Sequence, residues 1–257
     1  MAGHSKWANT KFRKEAQDQK RGKLFTRFIR EITIATKQGG PDPSTNPRLR
    51  AAIDKALSGN LTRDAIERAI KRVVGGEDKD LEEISYEGYG PGGTAVMVEC
   101  LTDNHTRAVS NVRHMFTKYG GNLGVDGSVS YLFTKEGHII LKPKIALSVE
   151  QTDNIMETAI NLGVLDFERQ DGLILITTEP KDLHNIKLAL EKTMPSDVVI
   201  ESAEIATIAK NYIKPENLEA ANKIIKFLDA LEDLDDVQNV YSNVDFKDYT
   251  DHADFGN

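Results

Sequence analysis

In the first third of the chain, apolar residues recur at helical spacing. From Lys23 onward, Leu24, Phe25, Phe28, Ile29 and Ile32 share a stripe about 140° wide at 100° per residue. Before it lies Lys11–Lys20, a run without Gly or Pro, from which Gly22 separates the stripe. Gly39-Gly40-Pro41-Asp42-Pro43 stops this helix. Asn46 as N-cap with Pro47 at the first helical position predicts a new start, running to about Leu57. Ser58-Gly59-Asn60 turns the chain, and Thr62 caps a third helix with Ile66, Ala69, Ile70 and Val73 inward, ended by Gly75-Gly76. A helical bundle over residues 1–76 is predicted, then a polar linker from Gly76 to Asp80.

After Leu81 the pattern mixes strand and helix. Ile84–Tyr89 and Thr94–Leu101 read as strands joined by a Gly90-Pro91-Gly92-Gly93 hairpin turn. Thr106–Tyr119 reads as a helix and Ser128–Phe133 as a strand. A second cycle follows: strand Ile139–Leu141, helix Val149–Asn161, strands Leu165–Arg169 and Leu173–Thr177, helix Lys181–Lys192, strand Val198–Ala206. Helix Pro215–Leu231 and strand Val237–Val244 come last. The order β-α-β-β-α-β is the ferredoxin-like split unit. The predicted fold is therefore α+β: an N-terminal helical bundle followed by two ferredoxin-like α/β domains, one inserted into the other. Residues 135–205 form the insert, 81–134 plus 206–245 the discontinuous host, and 246–257 an acidic tail, disordered or weakly docked. A further strand near Ile205–Tyr212 would complete the host domain.

Charge divides the chain unevenly. The total is −7, but residues 1–75 hold 17 Lys/Arg against 7 Asp/Glu, and residues 76–257 hold 16 against 33. A +10 module joined to a −17 remainder can meet phosphates with one end and stay soluble through the other. Residues 1–30 carry Lys6, Lys11, Arg13, Lys14, Lys20, Arg21, Lys23, Arg27 and Arg30 against only Glu15 and Asp18. Lys20, Lys23, Arg27 and Arg30 cover about 80° of one helix face, roughly 150° from the apolar stripe. On this reading they point together into solvent. A polyanion would relieve their mutual repulsion and release counterions on binding.

Trp7, the one tryptophan, stands between Lys6 and Lys11, where it either stacks on a base or anchors the N-terminal arm. Helix, short turn and helix over Arg48–Arg72 outline a helix-turn-helix. Arg63, Arg68, Lys71 and Arg72 on its second helix are weaker nucleic-acid candidates.

Other chemistry finds little support. Cys100 is the one cysteine and sits in an apolar run, the setting of a buried, inert thiol. The glycines of 88–93 and 120–127 lack a following Lys-Ser/Thr and a helix start, so they read as turns, not a phosphate cradle. His4, His105, His114, His138, His184 and His252 have no metal-ligand spacing, and no nucleophile or metalloprotease motif is present. Asp233, Asp235 and Asp236 read as a solvated acidic loop, with a magnesium site or a surface for a basic partner as the alternatives. The expectation is a non-enzyme without metal, cofactor or small-molecule substrate. With no signal peptide and no apolar run of about 20 residues, a cytoplasmic protein without membrane contact is expected. Nothing resembles a dimer zipper, so a monomer is favoured.

The segments AGHSKWANTKFRK, RGKLFTRFIREI, NPRLRAAIDKAL and ERAIKR resemble the YebC family, as do YEGYGPGG, VECLTDN, GGNLG, DGSVSYLF and VQNVY. The resemblance covers nearly the whole chain. It implies three domains, a helical bundle and two α/β domains. It also implies a DNA-binding transcriptional regulator of the bacterial cytoplasm. A mitochondrial branch of that family activates translation, and bacterial relatives have been linked to the ribosome. The alternative it implies is a ribosome-associated factor whose partner is ribosomal RNA. Thr10 and Phe12 depart from the family pattern, in which an aliphatic residue and a His are usual; the second change removes one polar contact from the basic patch.

Overall fold

The computed structural model describes residues 21–76, 80–170, 172–246 and 249. Residues 1–20 and most of the tail lie outside this range, and with them the helix expected over Lys11–Lys20. Two compact units divide the described residues: 133–208, and 21–132 together with 209–246 and 249.

The larger unit opens with three helices: α1 (Arg21–Gly39), α2 (Pro47–Ser58) and α3 (Arg63–Val74). Gly22 lies inside α1 rather than before it. Asn46 explains how α1 hands over to α2. Its Oδ1 accepts the Leu49 N–H at 3.0 Å, while its Nδ2 donates to Ala35 O at 2.7 Å and Gly40 O at 2.8 Å. One buried side chain thus caps one helix and satisfies the end of the other. Thr62 caps α3 through the Ala65 N–H. Phe28, Ile32, Ala35, Leu49, Ala52, Ala56, Ile66 and Ala69 form the bundle core.

The same unit continues with β1 (Glu82–Tyr89), β2 (Ala95–Thr102), α4 (His105–Lys118) and β3 (Asn122–Leu123). The smaller unit intervenes with β4 (Phe133–Pro143), α5 (Val149–Asn161), β5 (Asp166–Gln170), β6 (Leu173–Thr178), α6 (Leu183–Thr193) and β7 (Val198–Ala209). Then α7 (Leu218–Glu232) and β8 (Val237–Ser242) return to the larger unit. One sheet has the order β3-β1-β2-β8, the other β5-β6-β4-β7. The second is the strand order of a split β-α-β unit. In the first, β8 lies antiparallel to β2, so strands from both sides of the intervening segment share one sheet.

Alternation sets the core of each sheet. In the first, Tyr86, Val96, Val98, Cys100 and Val240 meet Ala108, Val112 and Phe116 of α4 and Phe227 and Leu231 of α7. The Phe116 and Phe227 rings meet edge to face at 5.0 Å. In the second, Ile139 pairs with Ile176 and Leu141 with Ile174. These four pack with Ile155 and Ala159 of α5 and Ile186 and Leu190 of α6. A reciprocal capping box starts α5: Ser148 Oγ accepts the Gln151 N–H at 3.1 Å, and Gln151 Oε1 accepts the Ser148 N–H at 2.9 Å.

Three strand expectations change. Ser128–Phe133 is not a strand. Ser130–Leu132 is a single 3₁₀ turn, and Phe133 instead begins β4, which absorbs Ile139–Leu141. The cause is Glu87. Its carboxylate accepts the N–H groups of Gly127 at 3.0 Å, Val129 at 2.7 Å and Ser130 at 2.8 Å, so these donors serve a side chain rather than a ladder. The separate strand expected near Ile205–Tyr212 is the end of a 12-residue β7, followed by one parallel bridge between Ile213 and Val244. β8 stops at Ser242. The tail is docked where it begins, since Phe246 is buried with Ala221, Ile224, Ile225 and Val244.

Candidate nucleic-acid interface

The structure separates the sequence-predicted residues into those outside the described range, those on α1 and those on α3. Lys6, Trp7, Lys11, Arg13, Lys14 and Lys20 lie outside the described residues. Arg21 opens α1. The remaining cations fall on α1 and α3.

On α1, Lys23, Arg27 and Arg30 do not point freely into solvent, which corrects the sequence expectation. They meet the end of α7 and the loop to β8. Lys23 Nζ donates to Asp233 O at 2.8 Å and lies 3.3 Å from its Oδ1. Arg27 donates to Glu232 O and Arg30 to Asp235 O. The final carbonyls of a helix lack intrahelical donors and carry the negative end of its dipole, so cations are favoured there. Burial is the largest influence on the Arg27 guanidinium and lowers its pKa; Glu232 and Asp233 act in the opposite direction.

The acidic run is accordingly not a free solvated loop. Asp236 is buried and grips Arg107 through two bonds, Nε to Oδ2 at 3.0 Å and Nη2 to Oδ1 at 2.7 Å. Its carbonyl accepts the Leu101 N–H at 2.9 Å, which ties the loop to β2. Asp103 shares Arg107 at 2.7 Å. Hydrogen bonding to Asp236, then to Asp103, raises the Arg107 pKa. Arg48 is also engaged, with Glu31 at 3.0 Å, Gln38 at 2.6 Å and Glu83. The bundle therefore has several polar ties to the α/β part of its own unit.

On α3 the weaker candidates become the accessible ones. Arg63, Arg68, Lys71 and Arg72 are all exposed. Arg68, Lys71 and Arg72 stand at i, i+3 and i+4, one face of the helix. With Ala65 and Gly75 of the same segment and Ile29 of α1, they line a recess of about 630 Å³. Ile29 packs on the bundle core with part of its surface and faces the recess with the rest. Arg63 is not among the lining residues, being about 140° round the helix from Arg68. Arg68 Nε donates back to Asp64 O at 3.2 Å, and Lys71 lies 3.7 Å from Glu67 in an exposed i,i+4 pair. Such a pair contributes little and leaves the ammonium open to a stronger anion. The arrangement offers three cations above a small apolar floor, suited to a phosphate chain. Sequence reasoning missed the recess because Ile29 and α3 are brought together only by the packing of α1 on α3.

Cys100 is buried, and burial, with a further contribution from Asp236, pushes its thiol up to about 12. Among the described residues no group of three or more His, Cys, Asp or Glu is placed to hold a metal ion, and no helix is long and apolar enough to cross a membrane.

A basic helical module, followed by an α/β domain interrupted by a second one, defines a known class of three-domain protein. Residues 5–76 match the family described as the TACO1/YebC protein N-terminal domain, and residues 81–244 the TACO1/YebC second and third domain. The chain belongs to the TACO1/YebC family. It is 54% identical over 233 residues to a protein of Proteus mirabilis named "probable transcriptional regulatory protein", covering 90% of this chain and 89% of that one. A Yersinia pestis protein named in the same words is 55% identical, with coverage of 90% and 91%. Among solved structures, a conserved hypothetical protein from Aquifex aeolicus shares 47% identity with a TM-score of 0.74, covering 87% of this chain and 90% of that chain.

Proposed function

We propose that this protein is a cytoplasmic DNA-binding transcriptional regulator that acts by binding, without catalytic turnover, and grips the phosphate backbone at the α3 recess. The observation that carries the reading is the triad Arg68, Lys71 and Arg72 aligned on one exposed helix face over Ile29 and Ala65. It sits in a segment of net +10, where phosphates meet attraction rather than the repulsion of the acidic remainder. The names of the Proteus and Yersinia relatives support regulation of transcription. The reading needs no cofactor, membrane or small molecule, and a monomer suffices for it. Binding of a labelled DNA duplex across a salt series tests it. Each phosphate neutralised adds about 0.9 to the steepness of log K against log salt. Changing Arg68, Lys71 and Arg72 together to Gln removes about 2–3 units of that steepness. Equal binding by parent and variant at every salt concentration refutes the assignment.

One observation favours a second reading, a ribosome-associated translation factor that holds ribosomal RNA. The α3 cations line a recess with Ile29 of α1 in its wall, so the helix does not stand clear as one entering a major groove must. A recess suits recognition of backbone shape, the usual mode for structured RNA. Cosedimentation with ribosomes, against crosslinking to promoter DNA, in one cell extract separates the two readings.

A further inference from the structure

The glycine-rich edge of the β3-β1-β2-β8 sheet carries two tyrosine rings that the fold does not use for its core. Tyr89 ends β1 and is 40% exposed; Tyr131, in the Ser130–Leu132 turn, is 61% exposed. Tyr89 Oη donates to Ser128 O at 3.2 Å, and its hydroxyl lies beside that of Tyr131. That bond holds the Tyr89 ring against the segment that leads into Tyr131.

Their support is rigid. Tyr89 and Glu87 share the sheet face opposite α4 and α7, by strand alternation. Glu87 is buried there, and its three backbone donors pull the 127–130 segment across that face. Burial alone would raise the Glu87 carboxyl, but the N–H groups of Val129, Gly127 and Ser130 outweigh it and hold it below the usual range. Two close backbone approaches fix the edge further. A Cβ on Gly88 would stand 2.5 Å from Asn122 O, and one on Gly121 would stand 2.5 Å from Tyr89 O. The three bonds to Glu87 hold the segment alongside the Tyr89 hydroxyl, and both rings stay exposed.

The surroundings indicate what the rings would meet. Exposed neighbours in the loop are mostly small or polar (Asn122, Gly127, Ser130), with one carboxylate, Asp126, and Val125 as the one large apolar side chain among them. An exposed cation, Lys210, adjoins it: Lys210 Nζ donates to Tyr131 O at 2.9 Å and its N–H to Leu132 O at 2.8 Å. Flat rings with polar tips beside one ammonium match a flat base with a polar edge beside one phosphate.

We propose that Tyr89 and Tyr131 form a stacking platform for unpaired nucleobases, with Lys210 serving the adjoining phosphate. The site is separate from the α3 recess and narrows the nucleic-acid reading above, on which it rests, to targets with single-stranded or looped stretches. Stacking and counterion release respond differently to salt, which gives the site its own signature. Anisotropy of a labelled oligouridine and of a blunt DNA duplex is measured with the full chain across a salt series. Tyr131→Leu and Tyr89→Leu keep apolar bulk but lose the π-face. Each weakens oligouridine binding by about 5- to 100-fold at every salt concentration, a parallel displacement of log K without change of slope, and leaves duplex binding unchanged. Tyr131→Phe binds like the parent, because the ring remains. Tyr131 is the more exposed ring, so Tyr131→Leu decides the matter if Tyr89→Leu disturbs the loop. Unchanged oligouridine binding by Tyr131→Leu overturns the platform, and so does equal weakening of both probes. A parent protein that binds neither probe overturns the nucleic-acid reading itself.

Discussion

Helices α1 and α3 of one bundle each carry a row of cations at three- and four-residue spacing. Lys23, Arg27 and Arg30 on α1 meet carbonyls 205–210 residues further along the chain. Arg68, Lys71 and Arg72 on α3 line an exposed recess. In sequence the α1 row is the more persuasive, being longer and flanked by further cations. In the fold it is the row already occupied by an anionic surface. A run of aligned charge shows that an anion is wanted, but not whether the anion is a ligand or another part of the chain. For α1, the end of α7 supplies it, with helix-terminal carbonyls and Asp233 standing where phosphates would. The two rows should therefore respond oppositely to mutation, one in binding and the other in stability.

The largest effect belongs to α3. Changing Arg68, Lys71 and Arg72 to Gln together should lower affinity for nucleic acid by on the order of a hundredfold at 0.1 M salt, with the deficit vanishing towards 1 M. Thermal stability should hardly move, since all three side chains are exposed and the buried face through Ile66 and Ala69 is untouched. If the variant melts early and binds normally, the comparison is inverted.

The matching triple change on α1, Lys23, Arg27 and Arg30 to Gln, should act mainly on stability. Three charged donors lose carbonyl partners, and Arg27 is the least exposed to screening. Together they should cost about 1–3 kcal/mol once solvent exposure is discounted. That corresponds to a fall in melting temperature of about 2–4 °C for each kcal/mol. The salt slope of binding should change by less than in the α3 variant. A slope change of about 2–3 units here, with stability intact, would restore α1 as the ligand face and make its contact with α7 incidental.

What could be read in advance was local. Asn46 before Pro47, and Thr62 before Arg63, announce helix starts through bonds spanning three residues, and both caps are present. The hydrophobic period located α5 and the Leu173 strand for the same reason. Glu87, by contrast, bonds residues 40 to 43 positions away. No periodicity in 128–133 betrays that its amides belong to a distant carboxylate. The site follows the same division. The charge of the module was visible in composition, but the occupation of the α1 row depends on α7, and the α3 recess depends on Ile29 reaching across from another helix. Tyr89 and Tyr131, 42 positions apart in sequence, had no local signal to join them.

The smallest expected effect separates carboxylate from carbonyl as the holder of α1. Arg27 and Arg30 donate to the backbone oxygens of Glu232 and Asp235, and Lys23 lies 3.3 Å from the Asp233 carboxylate. That ion pair is half exposed on both sides, 48% and 51%, so water and salt screen it. Asp233→Asn keeps the side chain's size and the Asp233 carbonyl. It should therefore cost no more than a few tenths of a kcal/mol, well below the α1 triple change. Raising salt should shrink even that difference, whereas the carbonyl bonds persist. The measurement is paired denaturation of parent and Asp233→Asn at low and high salt. A loss as large as that of the α1 triple variant would show that the acidic side chain, not the helix terminus, secures the bundle. The α1 row would then be an ordinary salt bridge, open to displacement by a stronger polyanion.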